Sequence, residues 1–363
     1  MHALEPTMSQ ARTRSAEFCR RFHLELPILL APMAGACPPG LSIAVAQAGG
    51  AGACGALLMQ PAEIAAWAGA VRAQTERPFQ INLWLPDPVP ERDASHEAHV
   101  REFLGKWGPP VPPTAGDALT FDFALQCEAL LAARPAIASS IMGLYAPEFV
   151  ERLKAAGIAW FATATTVAEA KAAESAGADV IVAQGMEAGG HRGCFDAARA
   201  ETSLTGLFSL LPAVADAVRV PVIATGGIAD ARGIAAALTL GASAVQIGTG
   251  LLRCPEAGIH PAWAQGLATA LPEKTILTRA FSGRAGRSLA TDYAIAATAP
   301  GAPVPAPYPV QRGLTATMRK HALETGDLQR MQAWAGQSAA LARAEPAADL
   351  ARALWENAQR LLS

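Results

Sequence analysis

Pro147-Glu-Phe-Val-Glu-Arg-Leu-Lys-Ala-Ala-Gly-Ile-Ala-Trp-Phe-Ala-Thr-Ala-Thr165 is the stretch that decides the fold. Its first half puts Phe149, Val150 and Leu153 on one side and its charges on the other, the pattern of an amphipathic helix. Gly157 stands where helices commonly end, since glycine takes the left-handed cap conformation without a Cβ penalty. Ala159 to Thr165 then form a short run without apolar–polar alternation, as in a strand covered on both faces. The same joint returns in Ala176-Gly-Ala-Asp-Val180 and Leu240-Gly-Ala-Ser-Ala244, behind helical patterns over 167–176 and 230–240. Seven further runs resemble the strand half: Pro27 to Met33, Gly50 to Ala56, Phe79 to Leu85, Ala136 to Met142, Asp179 to Gly185, Val220 to Gly226 and Ala244 to Thr249. Eight strands separated by helices predict an α/β fold, a (β/α)8 TIM barrel with an added, mainly helical C-terminal subdomain. A doubly wound open sheet is the main competitor.

The barrel is expected over residues 15–253. Residues 254–363 form a helical substrate or lid subdomain, with part of it returning to the barrel; oligomer contact is the plainer alternative. In this tail a Pro/Ala linker, 299–309, precedes helices rich in Ala, Leu and Arg. Pro346 suits the start of a last helix over 347–362, with Leu350, Leu354 and Leu361 on one face. Two connections are long, 86–135 and 186–219, and lie after strand ends, where barrel enzymes place substrate contacts.

The composition narrows the function. In 363 residues, 29 Lys+Arg stand against 31 Asp+Glu, giving a net charge of −2, which argues against a nucleic-acid binder. With 51% apolar and 17% charged residues the chain can bury a core and is not disordered. Six cysteines without CxxC spacing offer neither a disulfide scaffold nor a metal site, and read as free thiols. No charge occurs from Pro27 to Ala62, yet Pro32, Pro38, Pro39 and the glycines break any membrane helix there. Residues 1–26 mix acids and bases without an apolar leader core, so a cytoplasmic protein is expected.

The chemistry-bearing residues follow the strands. Gln184-Gly-Met-Glu-Ala-Gly-Gly-His-Arg-Gly193 comes directly after the sixth. Gly189, Gly190 and Gly193 let backbone approach a ligand, and a histidine set between glycines at a barrel rim is poorly placed as core filler. A neutral His191 could take a proton from an acidic carbon, with Arg192 stabilising negative charge nearby. Glu187 either orients the loop or is solvated, and Cys194 reads as a bystander. Ala224-Thr-Gly-Gly-Ile228 and Gln246-Ile-Gly-Thr-Gly250 end the last two strands; with a following helix N-terminus they favour a phosphorylated cofactor, and no Walker lysine supports nucleotide hydrolysis. Asn82 and Gln184 are amides suited either to the donor–acceptor edge of a flavin or to structural hydrogen bonds.

Ala31-Pro-Met-Ala-Gly35, Gln80-Ile-Asn-Leu83, the Glu-Ala-Gly-Gly-His-Arg-Gly element, Pro221 to Ile228, Ala235 to Ala242, Gln246-Ile-Gly-Thr249, Gly326-Asp327 and Met331-Gln-Ala-Trp-Ala-Gly-Gln337 together resemble the nitronate monooxygenase family, bacterial class I, formerly called 2-nitropropane dioxygenase. The resemblance runs from about Pro27 through nearly the whole chain. It implies an FMN-bearing barrel that oxidises alkyl nitronates, propionate 3-nitronate among them, with O2 to a carbonyl compound and nitrite. NAD(P)H is not consumed. Ala31, Pro32, Met33, Asn82, Gln184, Gly189, Gly190, Gly226, Gly227, Gln246, Ile247, Gly248 and Thr249 would hold FMN. His191 would be the base on neutral nitroalkanes and would help hold the anionic substrate. For a nitronate, already deprotonated, the implied step is one-electron transfer to FMN followed by reaction with O2. No metal is implied, and the chain would be a monomer or homodimer. An NAD(P)H-dependent FMN reductase related to enoyl-acyl carrier protein reductase II, or a quinone reductase, is the alternative, and a flavin-binding protein without turnover a third. One departure stands out: Ser139-Ser-Ile-Met-Gly143 replaces a Ser-Phe-His-Phe-Gly-like run of many relatives, so Ile141 and Met142 alter one pocket wall.

Overall fold

A computed structural model describes residues 8–117 and 121–363. The first seven residues of the leader reading and residues 118–120 of the long 86–135 connection lie outside them. All eight expected runs are strands: β1 (Ile28–Leu30), β2 (Gly52–Gly55), β3 (Phe79–Trp84), β4 (Ile137–Ile141), β5 (Ala159–Ala164), β6 (Val180–Gln184), β8 (Val222–Thr225) and β9 (Ala244–Ile247), with a short β7 (Gly190–His191) between the sixth and seventh. They form one parallel sheet in the order β1-β9-β8-β6-β5-β4-β3-β2, and a bridge from Leu29 to Ala51 brings its two edges together. The sheet is a barrel rather than the doubly wound alternative. Gly157, Gly177 and Gly241 end their helices at φ of 70°, 94° and 114°, the left-handed geometry that made the repeated joint legible.

Strand residues alternate between the barrel interior and the enclosing helices. Outward-facing Ile28, Leu30, Ile81, Leu83, Ile181, Val245 and Ile247 pack against the helix layer in one large apolar cluster. At the N-terminal mouth, the helix Met8–Phe22 lays Phe18 and Phe22 over Leu29, Phe161, Val182 and Ile223. Phe22 meets Phe161 edge-on at 5.0 Å between ring centres. No sequence pattern assigns this helix its place over the barrel mouth.

The tail is mainly helical, with one addition. Two strands, β10 (Thr275–Thr278) and β11 (Gly286–Leu289), form an antiparallel hairpin, and β11 extends the sheet onto β7. The 86–135 connection is not simply a loop. Its helix Ala94–Leu104 packs Val100 and Leu104 against Phe281, Tyr293, Leu314 and Met318 of the tail, while its second helix, Phe123–Ala133, joins the barrel wall. The final helix, Ala347–Leu361, packs beside the helices Ala231–Thr239 and Pro39–Gln47, so the tail's end completes that wall. Leu350 and Leu354 face inward as expected, but Leu361 is exposed. The helix ends there, and Leu362, leaving the helical path, closes the apolar stripe instead. All six cysteines are free and buried, and among the described residues no helix is long and apolar enough to cross a membrane.

Candidate active site

The strand C-terminal ends converge on one covered cavity. His191 and all the residues expected to hold FMN line it except Ile247, while Glu187, Arg192 and Gly193 lie outside it. That exception follows from the period of two: Gln246 points inward, so its neighbour Ile247 is fully buried against the helices and offers the site only its backbone, whose carbonyl accepts the Ala31 N–H at 2.9 Å.

The histidine loop is held from both sides. Gln184 donates through Nε2 to the His191 carbonyl at 3.1 Å and accepts the Gly193 N–H through Oε1 at 2.8 Å, so both ends of this amide fasten the loop. Glu187 orients it further, accepting the Leu207 N–H at 2.8 Å at the start of the helix Leu207–Ala217. From the tail, Gly286 pairs with His191 and Arg287 with Gly190, and the Gln337 N–H donates to the Glu187 carbonyl at 2.9 Å. Arg192 does not serve the site as expected. It follows the end of β7, and its guanidinium is turned away from the cavity and buried on the Gln184 carbonyl at 2.7 Å and the Ser203 carbonyl at 3.2 Å. Cys194 donates to the Asp196 carbonyl, and burial pushes its thiol pKa up, away from a nucleophile's range.

His191 sits in an aromatic frame. Its ring lies 4.7 Å from Trp84 and 4.9 Å from Trp334, and Trp84 is stacked at 5.0 Å on Tyr308. Nε2 is 2.7 Å from Ser282 Oγ. The Ser282 O–H donates to the Arg284 carbonyl at 3.1 Å, so the bond from His191 is satisfied when Nε2 carries the hydrogen. Nδ1 is then the basic atom. Removal from water pushes the imidazole pKa down to about 3, and the positive Arg284 and Arg312 add to this, so the ring is neutral at ordinary pH. Arg284 is ion-paired with Asp87 and donates to the Cys194 carbonyl at 2.6 Å. Arg312 lines the cavity and has no side-chain partner among the described residues.

Opposite the histidine, the amides have defined free ends. Asn82 Nδ2 donates to Ser139 Oγ at 3.1 Å, which leaves Oδ1 as an acceptor at the cavity. Gln246 Oε1 accepts from Gln80 Nε2 at 3.0 Å, which leaves Gln246 Nε2 as a donor. Beyond them, Gly226 and Gly227 take consecutive positive φ of 109° and 70°, and their N–H groups meet no protein acceptor among the described residues. Such a run of free N–H groups is a nest for an anion such as phosphate. The following helix, Ala231–Thr239, contributes less than expected, because the Asp230 carboxylate already caps it by accepting the Gly233 N–H at 3.0 Å. Thr249 Oγ1 accepts the Gly336 N–H at 3.0 Å and ties the tail across this corner.

Several residues here were not singled out from sequence. Trp334 lies in the quoted Met331–Gln337 stretch, which marked the residue without its place. Trp84 ends a strand whose Asn82 was read, and the inward period of two points to it. Ser282 and Arg312 come from a tail with no repeat to count from, and carry no such signal.

A (β/α)8 barrel whose strand ends gather a neutral histidine, arginines and free amide donors in one covered cavity is built as an enzyme of small molecules. The family described as "Nitronate monooxygenase" matches residues 17–357. A nitronate monooxygenase of Paraburkholderia phytofirmans is 39% identical over 90% of this chain and 90% of its own length. One of Pseudomonas aeruginosa is 38% identical over 93% and 98%. Among solved structures, a nitroalkane oxidase from Streptomyces ansochromogenes superposes with a TM-score of 0.84 at 36% identity, covering 94% of this chain and 98% of that one. FabK from Thermotoga maritima gives 0.74 at 26% identity, covering 95% and 96%. The chain belongs to the nitronate monooxygenase family and is an oxidoreductase.

Proposed function

We propose that the cavity binds FMN and oxidises alkyl nitronates with O2 to a carbonyl compound and nitrite, without NAD(P)H. The residues suit this cofactor: Asn82 Oδ1 and Gln246 Nε2 present an acceptor and a donor for the edge of the ring system, and the Gly226–Gly227 nest suits the phosphate. Met33, past the end of β1, lines the cavity beside Gly248 and is placed to pack against a flat ring. When bound, FMN would supply an acceptor for the electrons of the nitronate, with O2 as the final oxidant.

The observation that carries the substrate reading is the neutral His191 beside the unpartnered Arg312. Arg312 supplies positive charge for an anionic nitronate, and the aromatic frame of Trp84 and Trp334 limits water around it. His191 is the proposed base on neutral nitroalkanes. With its conjugate acid near pH 3 it is a weak one at neutral pH, so a preformed nitronate, which needs no proton removed, is the favoured substrate. Ile141 and Met142 line one wall and make it apolar, favouring an alkyl rather than a polar substituent there. The test is oxygen uptake by the purified protein given an alkyl nitronate or propionate 3-nitronate with no NAD(P)H. Uptake with stoichiometric nitrite is expected. Absence of uptake with bleaching of the flavin by NADH or NADPH would overturn the reading and place the chain with the reductases.

A further inference from the structure

We propose that Gln80 is a positioning residue, which fixes the side-chain amide of Gln246 with its NH2 turned toward the cofactor cavity. Gln80 lies in the barrel interior on β3, fully buried beneath the site, and is not among the residues that line the cavity. Its Nε2 is 2.9 Å from the Leu30 carbonyl and 3.0 Å from Gln246 Oε1. A backbone carbonyl can only accept, so the end of the Gln80 amide that faces Leu30 is its NH2. The same NH2 faces the Gln246 amide, whose near atom must therefore be its oxygen. The far atom of Gln246 is then a nitrogen with two hydrogens, at the cavity and without a protein partner among the described residues. One obligate acceptor on the first strand thus sets the polarity of two amides in series.

The arrangement leaves a trace: Gln80 Oε1 is buried with no partner among the described residues. An orphaned carbonyl oxygen in a barrel core is costly, and a residue without polar atoms would avoid it. The geometry gives Gln80 a use that offsets this, because without it Gln246 is free to turn its oxygen outward. A fixed donor suits an acceptor on the ring edge of a bound flavin and strengthens as that ring gains negative charge on reduction. This inference rests on the FMN reading above.

The test compares Gln80→Met, Gln246→Met and the double variant, by titrating apo-protein with FMN and measuring the midpoint potential of the bound flavin. Loss of one oriented hydrogen bond predicts that Gln80→Met binds FMN roughly 2- to 12-fold more weakly. Its flavin potential should fall relative to the parent. In the Gln246→Met background the Gln80 substitution should change neither quantity further. Gln80→Glu keeps the shape with at most one proton to offer, and should shift both quantities in the same direction if Gln80→Met does not fold. A Gln80→Met or Gln80→Glu protein with parental FMN affinity and potential would overturn the proposal, as would additive effects in the double variant. If the parent protein itself takes up no FMN, the cofactor reading fails and this inference falls with it; parental binding with an indifferent Gln80 removes this inference alone.

Discussion

At the N-terminal mouth of the barrel Phe18 and Phe22 of the first helix lie in one cluster with Phe161, Val182, Ile223 and Ala244; at the C-terminal mouth the same strands hold Thr163, Gln184, Thr225 and Gln246 around the cavity. On a strand, residues two apart share a face, so Phe161 and Thr163, Val182 and Gln184, Ile223 and Thr225, Ala244 and Gln246 are successive layers of one interior. A single step of two residues separates a dry plug from a polar site. The lower layer can be optimised for packing and the upper for ligand because side chains of one strand divide the work.

This contrast can be broken from either end. The largest effect is expected below: Phe161→Ala should cost about 3–5 kcal/mol of stability, read by urea unfolding, while the folded fraction binds FMN as the parent does. Lost FMN affinity in that folded fraction would show that the layers are not independent. At the upper layer His191→Asn should lower turnover of a neutral nitroalkane about 100-fold or more and that of its nitronate much less, with flavin retained. Equal losses on both substrates would remove His191 from proton transfer. Gly227→Val should bind FMN about tenfold more weakly, because φ of 70° disfavours a β-branched residue and its Cβ would stand 3.2 Å from that of Glu187. Flavin titration checks this, with unfolding largely unchanged if the effect is local.

The last contrast is one of pH. His191 is held well below its ordinary pKa of 6.5, so its neutral form is the one the fold favours. The stability this contributes is fully present above about pH 6.5 and is lost as pH falls toward about 3, where the folded protein protonates. Unfolding of His191→Asn should therefore be less acid-sensitive over that window. Between pH 6.5 and 9 the free enzyme's profile for nitronate kcat/KM should show no inflection from His191, and one that disappears in His191→Asn would contradict the enclosed, neutral ring.

How much of this the sequence discloses depends on whether a repeat is present to count from. The strands were legible because each run is uniformly apolar and a glycine marks each joint, as at Gly157, Gly177 and Gly241. The site's backbone could be read from the same register, since residues at strand ends in a barrel converge. The register also sorts neighbours: Ile247 enters the expected FMN set through the family resemblance, and alternation turns its side chain outward, leaving only its backbone at the site. Arg192, read with His191 by adjacency, is likewise turned away. Ser282 and Arg312 were invisible because their approach to His191 depends on how the tail crosses the barrel, and that path is set by long-range packing such as Val100 and Leu104 against Phe281. The helix over Phe161 left only two phenylalanines at helical spacing, Phe18 and Phe22, which many surface helices also show.

The wall helix Ala347–Leu361 gives the protein an order of assembly. A ribosome delivers it after β9, after the hairpin that pairs with the histidine loop and after Trp334, yet it packs between the helices Pro39–Gln47 and Ala231–Thr239. The sheet can close once β9 is made, but its helix layer is completed only after the elements of the catalytic mouth. Until that helix is made, the two wall helices it covers leave an apolar seam open on the nascent chain.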